Sequence, residues 1–283
     1  MNLVQFIEKA TPYLEKHGVN SPRLNAEVLL GHVLGISRVE IYTHYDRTLT
    51  QSEAELFRIY LVRRARGYPL QYRTGEAGFR GLAFEVRPGV FIPRPETEVL
   101  VEKVLEGMPS GHGEVLDIGT GCGNIAVSVA VAHTGAVVAA TDRDWLALEL
   151  CARNARRHGV EERVETFQGD LYDALDAAAG RTFDVIVSNP PYVPAGSWEE
   201  LPVEVREYEP VEALLGGEDG LDVMRDIVSG ALAHMKDGGW LFLEVDERQM
   251  EDVTGSVLSG WNDVGFFEDL AGRPRVVRAR MPG

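Results

Sequence analysis

The chain has 283 residues, of which 28 are Lys or Arg and 44 are Asp or Glu, so its formal net charge is −16. With 45% hydrophobic and 25% charged residues, the composition is typical of a globular protein of one or two domains and excludes a disordered or fibrous chain. Glu8 and Lys9 interrupt the stretch that would form a signal-peptide core, and no apolar run has the length of a membrane span. We therefore expect a cytoplasmic protein.

Charge is unevenly distributed along the chain. Residues 1–93 include 12 basic and 9 acidic residues, whereas residues 94–283 include 16 basic and 35 acidic ones. The acidic part is unsuited to nucleic acid, because such binding depends on Lys and Arg neutralising phosphates. In the basic part the densest cluster is typical of either a solvated helix C-terminus or a contact patch. It consists of Arg58, Arg63, Arg64 and Arg66.

Helical periodicity predicts a small helical domain over residues 1–72. Apolar residues recur at helical spacing from Leu3 to Leu14. Ser21 and Pro22 predict the cap and the first turn of a second helix, and Thr50–Glu53 has the spacing of a capping box for a further one.

Beyond the helical domain the pattern changes twice. Residues 73–93 alternate glycines with apolar residues, which predicts a linking β-hairpin. Residues 94–283 alternate strand-like and helical segments, which predicts an α/β domain with a mostly parallel sheet. The strand-like segments are Glu114–Gly119, Val137–Asp142, Val164–Gly169, Phe183–Ser188 and Trp240–Val245. Ligands of such sheets bind beyond the carboxyl ends of the strands, so the loops there are the candidate site.

The first of these loops, Asp117–Asn124, is a glycine-rich turn between a strand and a helix. Its glycines let the backbone approach a ligand, and the helix N-terminus offers free N–H groups. The dinucleotide fingerprint needs Gly where this chain has Asn124, so NAD is disfavoured. The carboxylate of Asp117 disfavours a pyrophosphate and suits a cationic cofactor that carries an amino group or a sulfonium.

Acidic residues also follow the next two strands. Asp142 is suited to accept hydrogen bonds from both ribose hydroxyls, although it fits the cap of the following helix equally well. Asp170 and Leu171 would lie near an adenine, the first beside the base and the second against its face.

The most informative loop, Ser188–Tyr192, reads Ser-Asn-Pro-Pro-Tyr and directly follows an apolar strand. The two prolines fix the backbone and lack N–H groups, so the loop is stiff. If the Asn189 side-chain oxygen and the Pro190 carbonyl accept the two hydrogens of a substrate NH₂ group, its lone pair can be aimed at an electrophilic carbon. Tyr192 would stack on the planar substrate group. Pro and Asn also occur together in purely structural turns.

These residues resemble a known family. Asn189–Tyr192 is similar to the NPPY motif of class I S-adenosylmethionine-dependent methyltransferases that modify planar amino groups. Over nearly the whole chain, the sequence resembles more narrowly the release factor glutamine methyltransferases, the PrmC/HemK family. The segments that carry this resemblance are Phe91–Glu98, Asp117–Gly123, Tyr208–Pro210 and Gly216–Leu221.

The resemblance implies a Rossmann-like class I methyltransferase fold with a mostly parallel seven-stranded sheet. The separate position and opposite charge of the helical domain predict that it is a substrate-recognition module. It implies methylation, by S-adenosylmethionine, of the side-chain amide of the Gln in the Gly-Gly-Gln motif of class I peptide chain release factors, which leaves S-adenosylhomocysteine. The cofactor contacts that it implies are Gly119, Thr120, Gly121, Cys122, Gly123, Asp142, Leu171 and Asn189. The substrate contacts are Asn189, Pro190, Pro191 and Tyr192, with Arg94, Glu96 and Thr97 near the mouth of the site.

Three alternatives remain open. A nucleic-acid adenine or guanine methyltransferase would use the same NPPY chemistry, a cofactor-binding scaffold would use none, and a dehydrogenase would bind NAD. We expect neither direct nucleic-acid binding nor membrane association. We also expect no metal, because a sulfonium is already activated, and no disulfide between Cys122 and Cys151, which lack CxxC spacing.

Overall fold

The computed structural model describes residues 1–44, 46–178 and 180–282. Contacts between Cα atoms divide the chain into two compact units. The helical unit comprises Met1–Glu76 and Pro202–Tyr208, and the sheet unit comprises Ala77–Leu201 and Glu209–Gly283. Sequence analysis does not anticipate that residues 202–208 join the helical unit. The domain limits that it places after residues 72 and 93 stay a prediction.

Within the described residues, the longer helices lie where the apolar periodicity predicts them. Some short helices are also present that the periodicity does not predict. They are α1 (Leu3–Lys16), α2 (Pro22–Leu34), α3 (Arg38–Thr43), α4 (Gln51–Ala65), α5 (Leu70–Thr74), α6 (Thr97–Gly107), α7 (Asn124–Ala132), α8 (Trp145–Arg157), α9 (Val203–Arg206), α10 (Asp222–His234) and α11 (Met250–Asp252). The missed helices α3 and α5 have six and five residues, too few for an apolar period to be recognised.

The strands form a hairpin and one large sheet. They are β1 (Glu76–Phe79), β2 (Leu82–Glu85), β3 (Gly113–Ile118), β4 (Ala136–Asp142), β5 (Val164–Gln168), β6 (Phe183–Ser188), β7 (Met235–Glu244), β8 (Asn262–Glu268) and β9 (Pro274–Arg280). Strands β1 and β2 pair with each other, and the other seven form a sheet in the order β5-β4-β3-β6-β7-β9-β8. The first five are parallel, whereas β9 is antiparallel to β7 and β8 to β9. The predicted mostly parallel seven-stranded sheet is confirmed.

The order of the sheet positions the candidate site. Strand β3 is central, with β4 on one side and β6 on the other, and the carboxyl ends of all three lie at one edge. The strand order reverses at β3, because β4 and then β5 follow on one side of it and β6 and then β7 on the other, and α/β sheets bind ligands at such a point. Apolar side chains of β3, β6 and β7, including Leu116, Ile186 and Leu241, pack with α10 in a fully buried core.

The start of the helical unit follows its sequence pattern closely. In α1 the residues Leu3, Ile7, Ala10 and Leu14 are all buried, one turn apart, and form the inner face of the helix. The predicted capping box of α4 is present, because the Thr50 and Glu53 side chains bond each other's backbone N–H groups.

The start of α2 and the arginine cluster at the end of α4 lie where the sequence predicts, but each differs from the expectation in one detail. Ser21 is the N-cap residue of α2 and Pro22 begins the helix, but Ser21 has φ 49° and its side chain makes no capping hydrogen bond. The arginine cluster does not share one surface, because Arg64 is buried and its guanidinium bonds Glu204 at 2.6 Å and Asn25 at 2.8 Å. Its neighbours Arg63 and Arg66 are exposed.

A buried carboxylate joins α2 to α3. Glu27 is 3% exposed and accepts hydrogen bonds from Arg23, Arg38 and Tyr42. Burial opposes its charge, but the hydrogen bonds from Tyr42, Arg38 and Arg23 hold the pKa of Glu27 below its usual value. The ionised form is therefore the one that the folded unit stabilises.

We expect Glu27→Gln to lower the stability of the protein at pH 7 by about 1–3 kcal/mol, because the donors lose a charged acceptor. A lowered pKa stabilises the fold above the unfolded value of about 4.3, and the gain is lost as the pH falls through the folded value. We would measure the free energy of unfolding by urea denaturation at a series of pH values from 7 downwards. The value for the wild type should fall towards that of Glu27→Gln as the pH decreases. The control is Glu15→Gln, at an exposed site on α1, and its stability should depend on pH as that of the wild type does. A constant difference between wild type and Glu27→Gln at all pH values would contradict this role.

Within the described ranges, none of the helices is both long and apolar enough to span a bilayer.

Candidate active site

A cavity of about 630 Å³ opens at the carboxyl ends of β3, β4 and β6. The structure brings ten of the predicted site residues into its wall. They are Gly119, Thr120, Gly121, Asp142, Asp170, Leu171, Asn189, Pro190, Pro191 and Tyr192. The remaining six lie outside the wall, and they are Arg94, Glu96, Thr97, Asp117, Cys122 and Gly123.

The glycine-rich turn forms the floor of the cavity next to β3. The N–H groups of Gly119 and Thr120 both donate to the Thr141 carbonyl at 2.9 Å, which holds the turn against the end of β4. Gly119 and Gly121 have φ of 71° and 56°, a region that side chains other than glycine adopt at a cost. The turn then leads directly into α7.

Gly123 has a packing role at the start of α7. It has φ 83°, and a Cβ built there would lie 2.6 Å from the sulfur of Cys151 and 3.0 Å from its Cα. Cys122 is buried beside it, and burial raises the pKa of the Cys122 thiol to about 12. Both cysteines are free. Gly123 and Cys122 therefore pack beneath the glycine-rich turn and do not line the cavity.

We expect Gly123→Ala to destabilise the protein by about 2–4 kcal/mol, because a left-handed backbone and an overpacked contact both penalise the methyl group. Gly159→Ala separates the two causes, since Gly159 has φ 68° but nothing within 4 Å of an added Cβ. That control should lose only about 1–2 kcal/mol in the same urea denaturation. Equal losses in the two variants would show that the Cys151 contact has no effect.

Asp117 lies beneath the turn and is fully buried. One carboxylate oxygen accepts from the Thr120 hydroxyl at 2.7 Å and from the Ala126 N–H at 3.1 Å, and the other has no hydrogen-bond partner among the residues described. Burial raises the pKa of Asp117 to about 7, and the nearby Asp142 carboxylate adds to that rise. A cation bound near the turn would stabilise the ionised form of this group.

Asp142 ends β4 and is held in place by backbone groups. Its two oxygens accept from the N–H groups of Gly121 and Asp144, each at 2.9 Å. Burial raises the pKa of Asp142 above its usual value. The cap of α8 is Asp144, whose side chain accepts from the Leu146 N–H at 2.9 Å. Asp142 is thus not the helix cap, and each of its oxygens keeps a lone pair for a ligand.

The loop after β5 contributes Asp170 and Leu171 to the wall. Leu171 has φ 47°, an uncommon conformation for a residue with a bulky side chain. Such strained positions cluster at ligand sites, where the surrounding structure maintains them.

The Asn-Pro-Pro-Tyr loop forms the opposite wall, after β6. The Ser188 hydroxyl donates to the Ile118 carbonyl at 2.7 Å and ties the end of β6 to the end of β3. The Asn189 side-chain nitrogen donates to the Thr97 hydroxyl at 3.3 Å. Gln249 donates to the Tyr192 carbonyl at 3.0 Å and holds the far end of the loop. Burial raises the pKa of the Tyr192 phenol, so the ring stays neutral.

Of the three residues expected near the mouth of the site, two have clear structural partners. Thr97 is 1% exposed and lies behind Asn189, at the first position of α6. Arg94 forms an ion pair with the buried Glu209, which also accepts from the Ile92 N–H at 3.2 Å. Glu96 directly precedes α6, and its side chain makes no cap there.

Sequence reasoning missed one wall of the cavity. Residues 89–91, Pro210 and residues 212–215 line it, and the Glu209 carboxylate joins the two segments through Ile92 and Arg94. The resemblance covers part of both segments, but more than 115 residues separate them, and no periodicity indicates that they meet.

The charges of the cavity wall are mostly negative. Asp142, Asp144, Asp170 and Glu212 line it, and Arg143 is the basic residue in the same wall. This excess of carboxylates suits a cationic ligand and disfavours a pyrophosphate or another polyanion. Within the described ranges no group of three or more His, Cys, Asp or Glu side chains is placed to hold a metal ion. The expectation of a metal-free site stays a prediction.

Known proteins resemble this chain over nearly its full length. Residues 5–75 match the profile of the PrmC N-terminal domain, and residues 82–201 match that of the methyltransferase small domain. The release factor glutamine methyltransferase of Geobacter sulfurreducens is 44% identical over 270 residues, which cover 95% of this chain and 93% of that protein. The protein of the same name from Koribacter versatilis is 39% identical over 283 residues, 100% of this chain and 99% of its own.

Solved structures match the fold at lower identity. A methyltransferase from Pyrococcus furiosus has a TM-score of 0.53 and 20% identity, covering 72% of this chain and 91% of that one. A 16S rRNA methyltransferase from Thermus thermophilus, in complex with AdoMet and guanosine, has a TM-score of 0.51 and 22% identity, covering 73% of this chain and 49% of that one. These similarities support the Rossmann-like methyltransferase fold.

Proposed function

Because this chain belongs to the release factor glutamine methyltransferase family, we propose that it methylates the side-chain amide nitrogen of the glutamine in the Gly-Gly-Gln motif of class I peptide chain release factors. The observation that carries the proposal is the position of Asn189. Asn189 lies in the cavity wall beside Pro190, and its side-chain nitrogen already donates a hydrogen bond to the Thr97 hydroxyl. The amide oxygen thus remains as an acceptor for a substrate NH₂ group.

The cavity fits S-adenosylmethionine as the methyl donor. When bound, this cofactor supplies an electrophilic methyl group on a sulfonium. Its positive charge suits the carboxylates of the wall, and Asp142 has the acceptor capacity for ribose hydroxyls. The glycine turn at Gly119–Gly121 allows close approach of the backbone, and Leu171 with Asp170 would contact the adenine.

The residues of the loop would activate a poor nucleophile by orienting it. An amide nitrogen is weakly nucleophilic because its lone pair is delocalised. The Asn189 oxygen and the Pro190 carbonyl would each accept one hydrogen of the substrate amide, which aims the lone pair for in-line attack on the methyl carbon. Tyr192 would pack on the plane of the amide. As the bond between the amide nitrogen and the methyl carbon forms, the bond from that carbon to sulfur would break and S-adenosylhomocysteine would leave. Since the loop offers no strong base, the extra proton would then pass to solvent.

The helical unit would recognise the substrate protein. Its residues 5–75 match a domain profile distinct from that of the methyltransferase part, and the first 93 residues are net basic whereas the rest are strongly acidic. The partner proposed here is a release factor, which acts with ribosomes in the cytoplasm. We expect the double replacement of the exposed Arg63 and Arg66 by Ala to raise the KM for a release factor. An unchanged KM would show that these arginines do not contact it.

The test is a transfer assay with S-adenosylmethionine labelled on its methyl group. Unmodified release factor, the same factor with its Gly-Gly-Gln glutamine replaced by Ala, and bulk RNA are incubated separately with the full chain. We expect label only in the unmodified factor. Label in RNA, with a steep salt dependence, would instead establish a nucleic-acid methyltransferase. Cofactor binding without transfer to either substrate would favour a scaffold.

A further inference from the structure

A buried asparagine on α8 joins the hairpin to the glycine-rich turn that forms the floor of the cavity. Asn154 is 0% exposed. Its side-chain oxygen accepts from the Glu85 N–H at 2.7 Å, and its side-chain nitrogen donates to the Glu85 carbonyl at 3.1 Å and to the Cys122 carbonyl at 2.8 Å. A single amide group therefore contacts both the end of β2 and the turn.

The chemistry of these partners fixes the orientation of the Asn154 amide. A backbone N–H only donates and a backbone carbonyl only accepts, so the amide oxygen must face the Glu85 N–H and the amide nitrogen must face the two carbonyls. Both hydrogens of the nitrogen are used in this way. A flipped amide would set its oxygen against the Glu85 and Cys122 carbonyls, so the side chain is held in one arrangement.

Strand β2 is attached to α8 through its backbone. Its partner in the two-stranded sheet is β1, and Asn154 bonds both backbone groups of Glu85, as a residue of a neighbouring strand would. At the end of α8, the His158 Nε2 donates to the Ala83 carbonyl at 2.9 Å, and the centroid of its ring lies 5.4 Å from that of Phe84. Two side chains of α8 and its cap thus hold the same strand, but Asn154 is the one that also bonds the turn.

In the turn, Asn154 holds the peptide group between Cys122 and Gly123. The carbonyl of this group accepts from Asn154, and its N–H donates to the Thr120 carbonyl at 2.9 Å. Both polar groups of the peptide are thereby fixed. The residue before it, Gly121, lies in the cavity wall. A rotation of the peptide would therefore displace backbone that faces the ligand.

We propose that Asn154 is a positioning residue, which couples the hairpin to the glycine-rich turn and holds the turn in the shape that binds the cofactor. This inference rests on the proposed function, because that function assigns S-adenosylmethionine to the cavity. Asn154 itself lies outside the cavity wall. Removing its amide would take the donor from the buried Cys122 carbonyl, and a buried carbonyl without a donor favours a change in the shape of the turn.

The first test needs no ligand and measures hydrogen–deuterium exchange of the full chain by mass spectrometry. Asn154→Leu removes the amide at similar volume. The matched control is His158→Phe, which loses a hydrogen bond to β2 and keeps an aromatic ring beside Phe84. Peptides that cover β2 should exchange faster in both variants. A peptide that covers the turn should exchange about 5- to 30-fold faster in Asn154→Leu alone. Exchange of the turn peptide at the wild-type rate in Asn154→Leu, or equally fast in both variants, would overturn the proposal.

The second test measures the affinity for S-adenosylmethionine by isothermal titration calorimetry. We expect the Kd to rise about 5- to 30-fold in Asn154→Leu and to keep its wild-type value in His158→Phe. At saturating cofactor, the kcat of Asn154→Leu for release factor methylation should stay near that of wild type, because the Asn-Pro-Pro-Tyr loop is unchanged. Wild-type affinity in Asn154→Leu, or a kcat that falls as far as the affinity, would overturn the proposal.

Failure of the proposed function would give a different result from failure of this inference. A wild-type protein that binds no S-adenosylmethionine would refute the proposed cofactor, and exchange of the turn peptide would still decide whether Asn154 positions the turn. If Asn154→Leu does not fold, Asn154→Ala takes its place in both measurements, with the same expected results.

Discussion

Asn189→Ala is expected to lower kcat for release factor methylation by about 10²–10³-fold, because removing one preorganised polar contact to the reacting group costs about 2.7–4 kcal/mol. The truncated side chain can no longer accept a hydrogen of the substrate amide. The Pro190 carbonyl alone leaves that amide free to rotate, so its lone pair is rarely aligned with the methyl carbon. Single-turnover kinetics with saturating cofactor and release factor measures this effect directly.

Two controls give the Asn189→Ala result its meaning. Asn262→Ala makes the same chemical change at an exposed position on β8 and should keep wild-type turnover. Thermal unfolding of Asn189→Ala should match wild type closely, since the side chain makes one long hydrogen bond of 3.3 Å to Thr97. Unchanged turnover in a folded Asn189→Ala protein would remove Asn189 from the mechanism.

Asp142→Asn is expected to weaken the binding of S-adenosylmethionine about 10- to 150-fold, because hydrogen bonds to a charged acceptor contribute about 1.5–3 kcal/mol. An ionised aspartate accepts on both oxygens, whereas an asparagine turns an NH₂ group toward either the Gly121 or the Asp144 N–H. Isothermal titration calorimetry with the cofactor alone separates this loss from any effect on the protein substrate.

The matched control for Asp142→Asn is Asp226→Asn, which makes the same substitution on the exposed face of α10. It should bind the cofactor as wild type does. Affinity within twofold of wild type in Asp142→Asn would show that Asp142 supports the loop and does not contact the ligand.

The walls of the cavity that follow the strands could be predicted from the sequence. Apolar segments that alternate with helices place the Asp117–Gly123 turn, Asp142 and the Asn-Pro-Pro-Tyr loop at the same edge of a parallel sheet, without any need for side-chain detail. The seven-stranded sheet was predictable for the same reason, with the resemblance supplying the number of strands.

Contacts between distant segments could not be predicted in this way. Thr97 is 92 residues from Asn189 and Arg94 is 115 from Glu209, and no local pattern records either pairing. The resemblance placed Thr97 near the mouth of the site, whereas it is buried behind Asn189.

The most direct measurement is tandem mass spectrometry of a release factor after reaction with this chain and S-adenosylmethionine, with fragmentation that locates the added methyl group. The same reaction with Asn189→Ala is the control. We predict one methyl group on the side-chain nitrogen of the Gly-Gly-Gln glutamine in the wild-type reaction and a strongly reduced amount with the variant. A methyl group on any other residue, or on none while an RNA substrate becomes methylated, would contradict the proposed function.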